Sequence, residues 1–247
     1  MSANAANAQA ATAKEVNQQF QTWFSLNSTW HLTDRWGVIG DFHVRRNNGV
    51  KDPSFYFARV AANYWLKERL TLAAGYAHMW NAPAVEGWSE FSDEHRIYQQ
   101  ALLSTKVDKT DLVLRLRNEQ RWKEVMANDD PTGDWTFTNR VRMLFSFNFP
   151  LSRNNPNWSL VAADEILFNM GSSIVYNTFD QNRVFLGVRQ KLSKTWSYDI
   201  GYMNVYQQKS AGYKYDMNHT FRWFFYYSPD FRKSKHPPKQ VLDTREE

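Results

Sequence analysis

The 247-residue chain carries 11 Trp within a 16% aromatic content, no Cys, and a formal charge of +5. Its mean hydropathy of -0.65 sits awkwardly beside that aromatic load in a soluble fold, and no run approaches the roughly 18 apolar residues of a membrane helix. A helical span, a disulfide framework and a thiolate metal site are therefore excluded, whereas a transmembrane β-barrel, polar on average and aromatic at two lipid interfaces, fits.

Residues 1–18 are rich in Ala and Asn and lack the apolar core of a signal peptide. They are expected to be a signal remnant, a short helix or a piece threading the lumen. Ala8-Gln9-Ala10 has the form of a cleavage-site tail, so the export signal is expected to be removed or mis-started. The barrel proper is predicted over 19–228.

Alternation of apolar and polar residues starts at Gln19 and runs to Leu32, turns at Thr33-Asp34-Arg35, and returns from Trp36 to Arg45. Phe20, Phe24, Leu26 and Trp30 share one face with Phe42, and Asn27, Asp41, His43 and Arg45 share the other. After a loop with Asn47-Asn48-Gly49, strands three (Phe55 to Leu66) and four (Leu70 to Met79) meet at Lys67-Glu68-Arg69. A long connection, Asn81 to Asp93, leads to strand five (Glu94 to Val107), a two-residue Asp108-Lys109 turn and strand six (Asp111 to Trp122). In strand six Leu112, Leu114 and Leu116 alternate with Arg115, Arg117, Glu119 and Arg121, a period of two that no helix segregates into two faces.

A second long loop, Lys123 to Asp134, precedes strand seven, where Phe145, Phe147 and Phe149 alternate with Arg140, Arg142 and Ser146. Strand eight (Trp158 to Asn169) puts Asp164 on the apolar face, which marks a bulge or an interfacial position. Strands nine (Asn182 to Leu192) and ten (Trp196 to Gln208) flank Ser193-Lys194-Thr195, and strand eleven is Asp216 to Tyr227. Strands of about 12 residues, at roughly 3.3 Å each and tilted about 40°, span an apolar band of about 25 Å.

On the outward parity Trp36, Trp158 and Trp196 lie beside short turns, and Trp80, Trp122 and Trp135 beside long loops. Two interfacial girdles are what a barrel in lipid requires. A soluble β-sandwich would leave Phe145 and Phe147 in need of a covering sheet. Eleven strands joined as a meander would close on two parallel neighbours, so either a twelfth strand or an N-terminal piece threading the lumen is expected. The tail 229–247, with Arg232, Lys233, Lys235 and Pro237-Pro238, is expected to be a disordered periplasmic extension.

The inward motifs resemble a family of uncharacterised Gram-negative outer-membrane β-barrels known as domain of unknown function 2490. The matching pieces are Glu94-His95-Arg96, Tyr98-Gln99-Gln100, the run Arg115 to Arg121, Arg140-Val141-Arg142, Asp164 to Asn169, Asp180 to Arg183, and Gly201-Tyr202-Met203. The resemblance implies a multi-pass outer-membrane barrel and no substrate. Short turns would be periplasmic and long loops extracellular.

By parity the lumen receives Arg45, Arg59, Arg96, Arg115, Arg117, Arg121, Arg140, Arg142, Arg183, Arg189 and Arg222. Only Asp41, Glu94, Glu119, Glu165 and Asp199 oppose them. About the Asp108-Lys109 turn, Arg96 falls opposite Arg121, Tyr98 opposite Glu119 and Gln100 opposite Arg117; about Lys194, Arg189 falls opposite Asp199 and Gly187 opposite Gly201. Facing like charges need a carboxylate or an anion between them.

Two functions follow, with an outer-membrane lipid hydrolase as a third and less favoured reading. A filled barrel acting as a structural or docking component would pair its arginines with wall acids and with Glu86, Glu90, Asp129, Asp130 and Asp134 from inward-folded loops. A narrow pore for small anionic solutes would leave them uncompensated. A backbone radius of roughly 11 to 12 Å, with arginines reaching about 6 to 7 Å inward, favours the filled barrel.

No catalytic, cofactor or metal site is expected. Asp93-Glu94-His95, the only acid–His cluster, is read as a polar rim supporting Arg96, and His43 and His219 as lumen hydrogen-bonding groups. The expected partners are the lipid bilayer, other envelope proteins and a small anion. Nucleic acid is disfavoured, because the arginines alternate with Leu and Phe instead of forming an exposed stripe.

Overall fold

Eleven strands close into a single barrel in the computed structural model, which describes residues 13–152 and 157–232. They are β1 (Glu15–His31), β2 (Trp36–Asn47), β3 (Asp52–Lys67), β4 (Leu70–Asn81), β5 (Ser92–Val107), β6 (Thr110–Ala127), β7 (Asp130–Pro150), β8 (Trp158–Met170), β9 (Phe179–Lys191), β10 (Trp196–Gln208) and β11 (Lys214–Tyr227). Each strand pairs antiparallel with its sequence neighbour. The seam between β1 and β11 is parallel, from Glu15 beside Lys214 to Ser28 beside Tyr227.

That seam corrects the expectation of a twelfth strand. Parallel closure satisfies the backbone groups of both terminal strands, so the odd strand number leaves no open edge. β1 begins at Glu15, inside the predicted N-terminal segment. The signal remnant and lumen-threading expectations fall on residues 1–12, outside the described residues.

The exterior is apolar and the interior charged, as the alternation requires. Leu114 is 42% and Phe145 49% exposed, against 3% for Arg117 and 5% for Arg142. The predicted cross-strand pairs Arg96–Arg121, Tyr98–Glu119, Gln100–Arg117, Arg189–Asp199 and Gly187–Gly201 all stand in register. At Gly187 and Gly201 the strands approach so closely that a Cβ on Gly201 would lie 2.5 Å from the Gly187 Cα.

Lys123 to Asp134 is not a loop. β6 and β7 continue upward as a hairpin closed by Asn128 and Asp129, with φ of 54° and 66° as a two-residue type I′ turn requires. This extension rises past the neighbouring strands by about 15 Å at the usual rise and tilt. Outside the apolar band both faces of a strand meet water, so its sequence lacks alternation. The Glu90 and Ser89 backbone N–H groups donate to Asp129 at 2.9 Å and hold its carboxyl below the usual range, tying the hairpin to the β4–β5 loop.

The start of the tail is ordered, contrary to expectation. His31 N–H donates to the Pro229 carbonyl at 3.0 Å and Phe231 N–H to the His31 carbonyl at 2.9 Å, extending the β1 edge at the short-turn end. Residues 233–247, including Lys233, Lys235 and Pro237-Pro238, lie outside the described residues. Asp164 points outward with no register shift beside it, and accepts a 2.6 Å hydrogen bond from Asn182.

Candidate functional site

Ten of the eleven inward arginines are buried, and Arg121 is half-buried near the long-loop mouth. Their partners come from the wall itself. Glu94 sits two residues before Arg96 on the same face of β5, so it lies between the facing pair: Arg96 and Arg121 each donate to Glu94 Oε1 at 2.7 Å. Facing like charges thereby become a shared bridge.

The same device repeats deeper in the lumen. Glu119 accepts from Arg140 Nε at 2.9 Å and from Arg142 Nη1 at 2.8 Å. Glu165 accepts from Arg115 at 2.6 Å, from Arg142 at 2.8 and 2.9 Å, and from Arg183 at 3.2 Å. Arg117 donates to the Gln100 carbonyl at 2.9 and 2.6 Å, and Arg140 to Asp180 at 3.1 Å. On the far side Arg189 makes a two-pronged contact with Asp199 at 2.6 and 2.8 Å, and Arg59 donates to Asp41 at 2.7 Å. Planar guanidinium forks suit such shared, two-pronged geometry, and in a water-poor lumen each contact is stronger than at a surface.

Asp180 also faces the lumen, on β9, which begins at Phe179, three residues ahead of the predicted start at Asn182. Asp180 sits at a register shift between β8 and β9, where it and Gln181 are buried in succession, so strict alternation assigns Asp180 to the outer face. Asp216, paired with Lys209 near the mouth, is a further lumen acid on the inward parity of β11. The loop acids do not fold inward. Glu86, Glu90, Asp130 and Asp134 are exposed, and Asp129 binds the β4–β5 loop.

The lumen also has an apolar half, which the alternation does not reveal. Trp23, Leu144, Val161, Phe185, Met203, Phe224 and Tyr226 form one buried cluster on the side of β1 and β7–β11. Arg222 bridges the two halves: its guanidinium lies 4.1 Å from the Phe185 ring centre and 4.2 Å from that of Phe224, and it donates to Tyr226 Oη at 3.0 Å. Tyr226 in turn donates to Asp199 at 3.1 Å. At the short-turn end Trp65 stacks on His31 with ring centres 4.0 Å apart. The lumen is charged, and it is occluded.

The model of the family described as "Protein of unknown function (DUF2490)" matches residues 20–217. The chain belongs to this family. No curated protein and no solved structure matches it.

Elsewhere in this DUF2490 protein the strand pleat splits the Asp93-Glu94-His95 cluster between two faces. Glu94 alone faces the lumen and supports Arg96. His95 faces outward, where its Nδ1 lies 2.6 Å from Tyr76 Oη, and Asp93 pairs with His78 at 3.0 Å. His43 is a fully buried lumen residue edge-on to Phe57 and Phe224. His219 is not in the lumen: it lies on the outer face, 2.6 Å from Tyr202 Oη and stacked on Phe20. Trp36, Trp158 and Trp196 lie at the short-turn end, and Trp80, Trp122 and Trp135 toward the long-loop end, all on the outward parity. Among the described residues no three His, Cys, Asp or Glu side chains converge as metal ligands would.

Proposed function

We propose that this protein is a non-conducting barrel of the outer membrane of Gram-negative bacteria, acting there as a structural or docking component. Its lumen filling carries the proposal. Arg222, Phe185, Phe224, Tyr226, Asp199 and Glu165, each 2% exposed or less, occupy the cross-section where a pore would need water. Membrane residence is supported by the apolar exterior between two Trp-bearing ends, since only a closed sheet satisfies its backbone in lipid. The β6–β7 hairpin, rising above the long-loop end, is the natural contact surface for another envelope protein.

A narrow anion-favouring pore is the second reading, favoured by the outnumbering of lumen carboxylates by guanidiniums. Planar-bilayer recording of the purified protein separates the two. Silence across salts and voltages is expected, and a steady anion-selective current overturns the structural role. The proposal assigns no catalytic step, and phospholipid turnover in liposomes that disappears with His95→Ala would overturn that part.

A further inference from the structure

We propose that the long-loop mouth of the barrel is a blind binding site for a small, multiply charged oxyanion from solution, of the phosphate or carboxylate class. A cavity of about 360 Å³ opens there between the β2–β3 and β4–β5 connections, within the roughly 300–1,000 Å³ range of small-molecule sites. Six arginines and two lysines line it, against Glu94 and Asp180. Glu119, Glu165 and Asp216 neutralise part of this charge from just outside, binding Arg140, Arg142, Arg183 and Lys209. Cations still outnumber acids eight to five. Because Glu94 is already shared by two guanidiniums, and Glu119 and Glu165 by more, the local potential stays positive between low-dielectric walls that focus it.

The cations are also held in place before any ligand arrives. Arg45 lies flat over Trp23, 3.4 Å from the ring centre, with Phe55 at 4.5 Å. Arg96 and Arg121 are fixed by Glu94, with the Lys123 side chain beside them at the rim. Rigid forks that need not be ordered on binding are what an oxyanion site requires. The floor is closed by the ionic network and by the Phe185–Phe224 cluster, so an anion that enters leaves by the same mouth. Lipid headgroups lie outside the wall, which makes the source soluble.

The probe is inorganic pyrophosphate, titrated calorimetrically into the full-length protein in detergent micelles at low salt, with spermidine as the cationic control. Saturable binding of pyrophosphate and none of spermidine is expected, weakening as salt is raised. Lys123→Gln, at the exposed rim where it does not disturb the core, is expected to weaken binding about 5-fold, and Arg45→Gln about 10-fold or more, as loss of a charged hydrogen bond does. Heat-modifiable gel mobility confirms that each variant is folded. No pyrophosphate binding up to millimolar concentration, or binding that neither folded variant weakens, overturns the inference. The site goes beyond the structural role: lack of binding leaves the occluded lumen standing, and a bilayer current overturns both the structural role and the closed floor while leaving the affinity measurement as the test of anion binding.

Discussion

Glu165→Gln removes one negative charge at the deepest node of the lumen while keeping side-chain volume. In the native barrel Glu165 accepts hydrogen bonds from Arg115, Arg142 and Arg183, and its carboxylate is 2% exposed. Charged hydrogen bonds contribute about 1.5–3 kcal/mol each, and stripping one partner from a buried ion pair costs about 3–5 kcal/mol. Three guanidiniums lose their common anion here. Glu119 still holds Arg142 at 2.8 Å, and Gln retains one acceptor, so the loss falls at about 3–5 kcal/mol rather than at the sum of three pairs. With a urea slope near 3 kcal/mol per molar, the unfolding midpoint drops by about 1–1.7 M. The measurement is urea unfolding in lipid vesicles, followed by Trp fluorescence and by heat-modifiable gel mobility. Glu86→Gln, on an exposed loop, serves as control and should shift stability by less than about 0.5 kcal/mol. Pairing Glu165→Gln with Arg115→Met should recover part of the loss, because one orphaned charge is removed with its partner. A midpoint within about 0.2 M of the native protein, or a double variant worse than the sum of its parts, would refute the view that this carboxylate neutralises the filled lumen.

Leu116→Arg places a guanidinium on the apolar exterior and should cost about 2–4 kcal/mol in vesicles if that face is in lipid; an unchanged vesicle midpoint would refute membrane embedding. Gly201→Val drives side-chain atoms into the Gly187 Cα and the Leu186 carbonyl, so the folded, heat-modifiable fraction should fall sharply, whereas Gly49→Asn, in an open turn whose φ of 75° Asn tolerates, should fold in near-native yield. Hydrogen donation from Arg232 holds the Asp230 carboxyl down at about 2, below its ordinary value of 3.8. A lowered carboxyl stabilises its contact above the ordinary value and loses that contribution as pH falls. Protection of the Phe231 amide from exchange should therefore be full above pH 4 and fade toward pH 2, and protection that fades on raising the pH instead would contradict the sign.

Alternation alone determined the number of strands, their faces and much of their pairing. A residue's parity decides whether it meets hydrocarbon or the lumen, and a two-residue turn such as Asp108-Lys109 fixes every pair below it, including Arg96 with Arg121 and Arg189 with Asp199 about its own turn. What parity does not carry is distance around the barrel. That Glu165 on β8 gathers arginines from β6, β7 and β9, that Leu144 and Phe224 share an apolar half of the lumen, and that β1 closes in parallel on β11 depend on curvature and strand tilt, which exist only once the sheet has joined its ends. The β6–β7 extension was hidden for a related reason: beyond the apolar band the two faces of a strand see the same solvent, and the sequence has no cause to alternate.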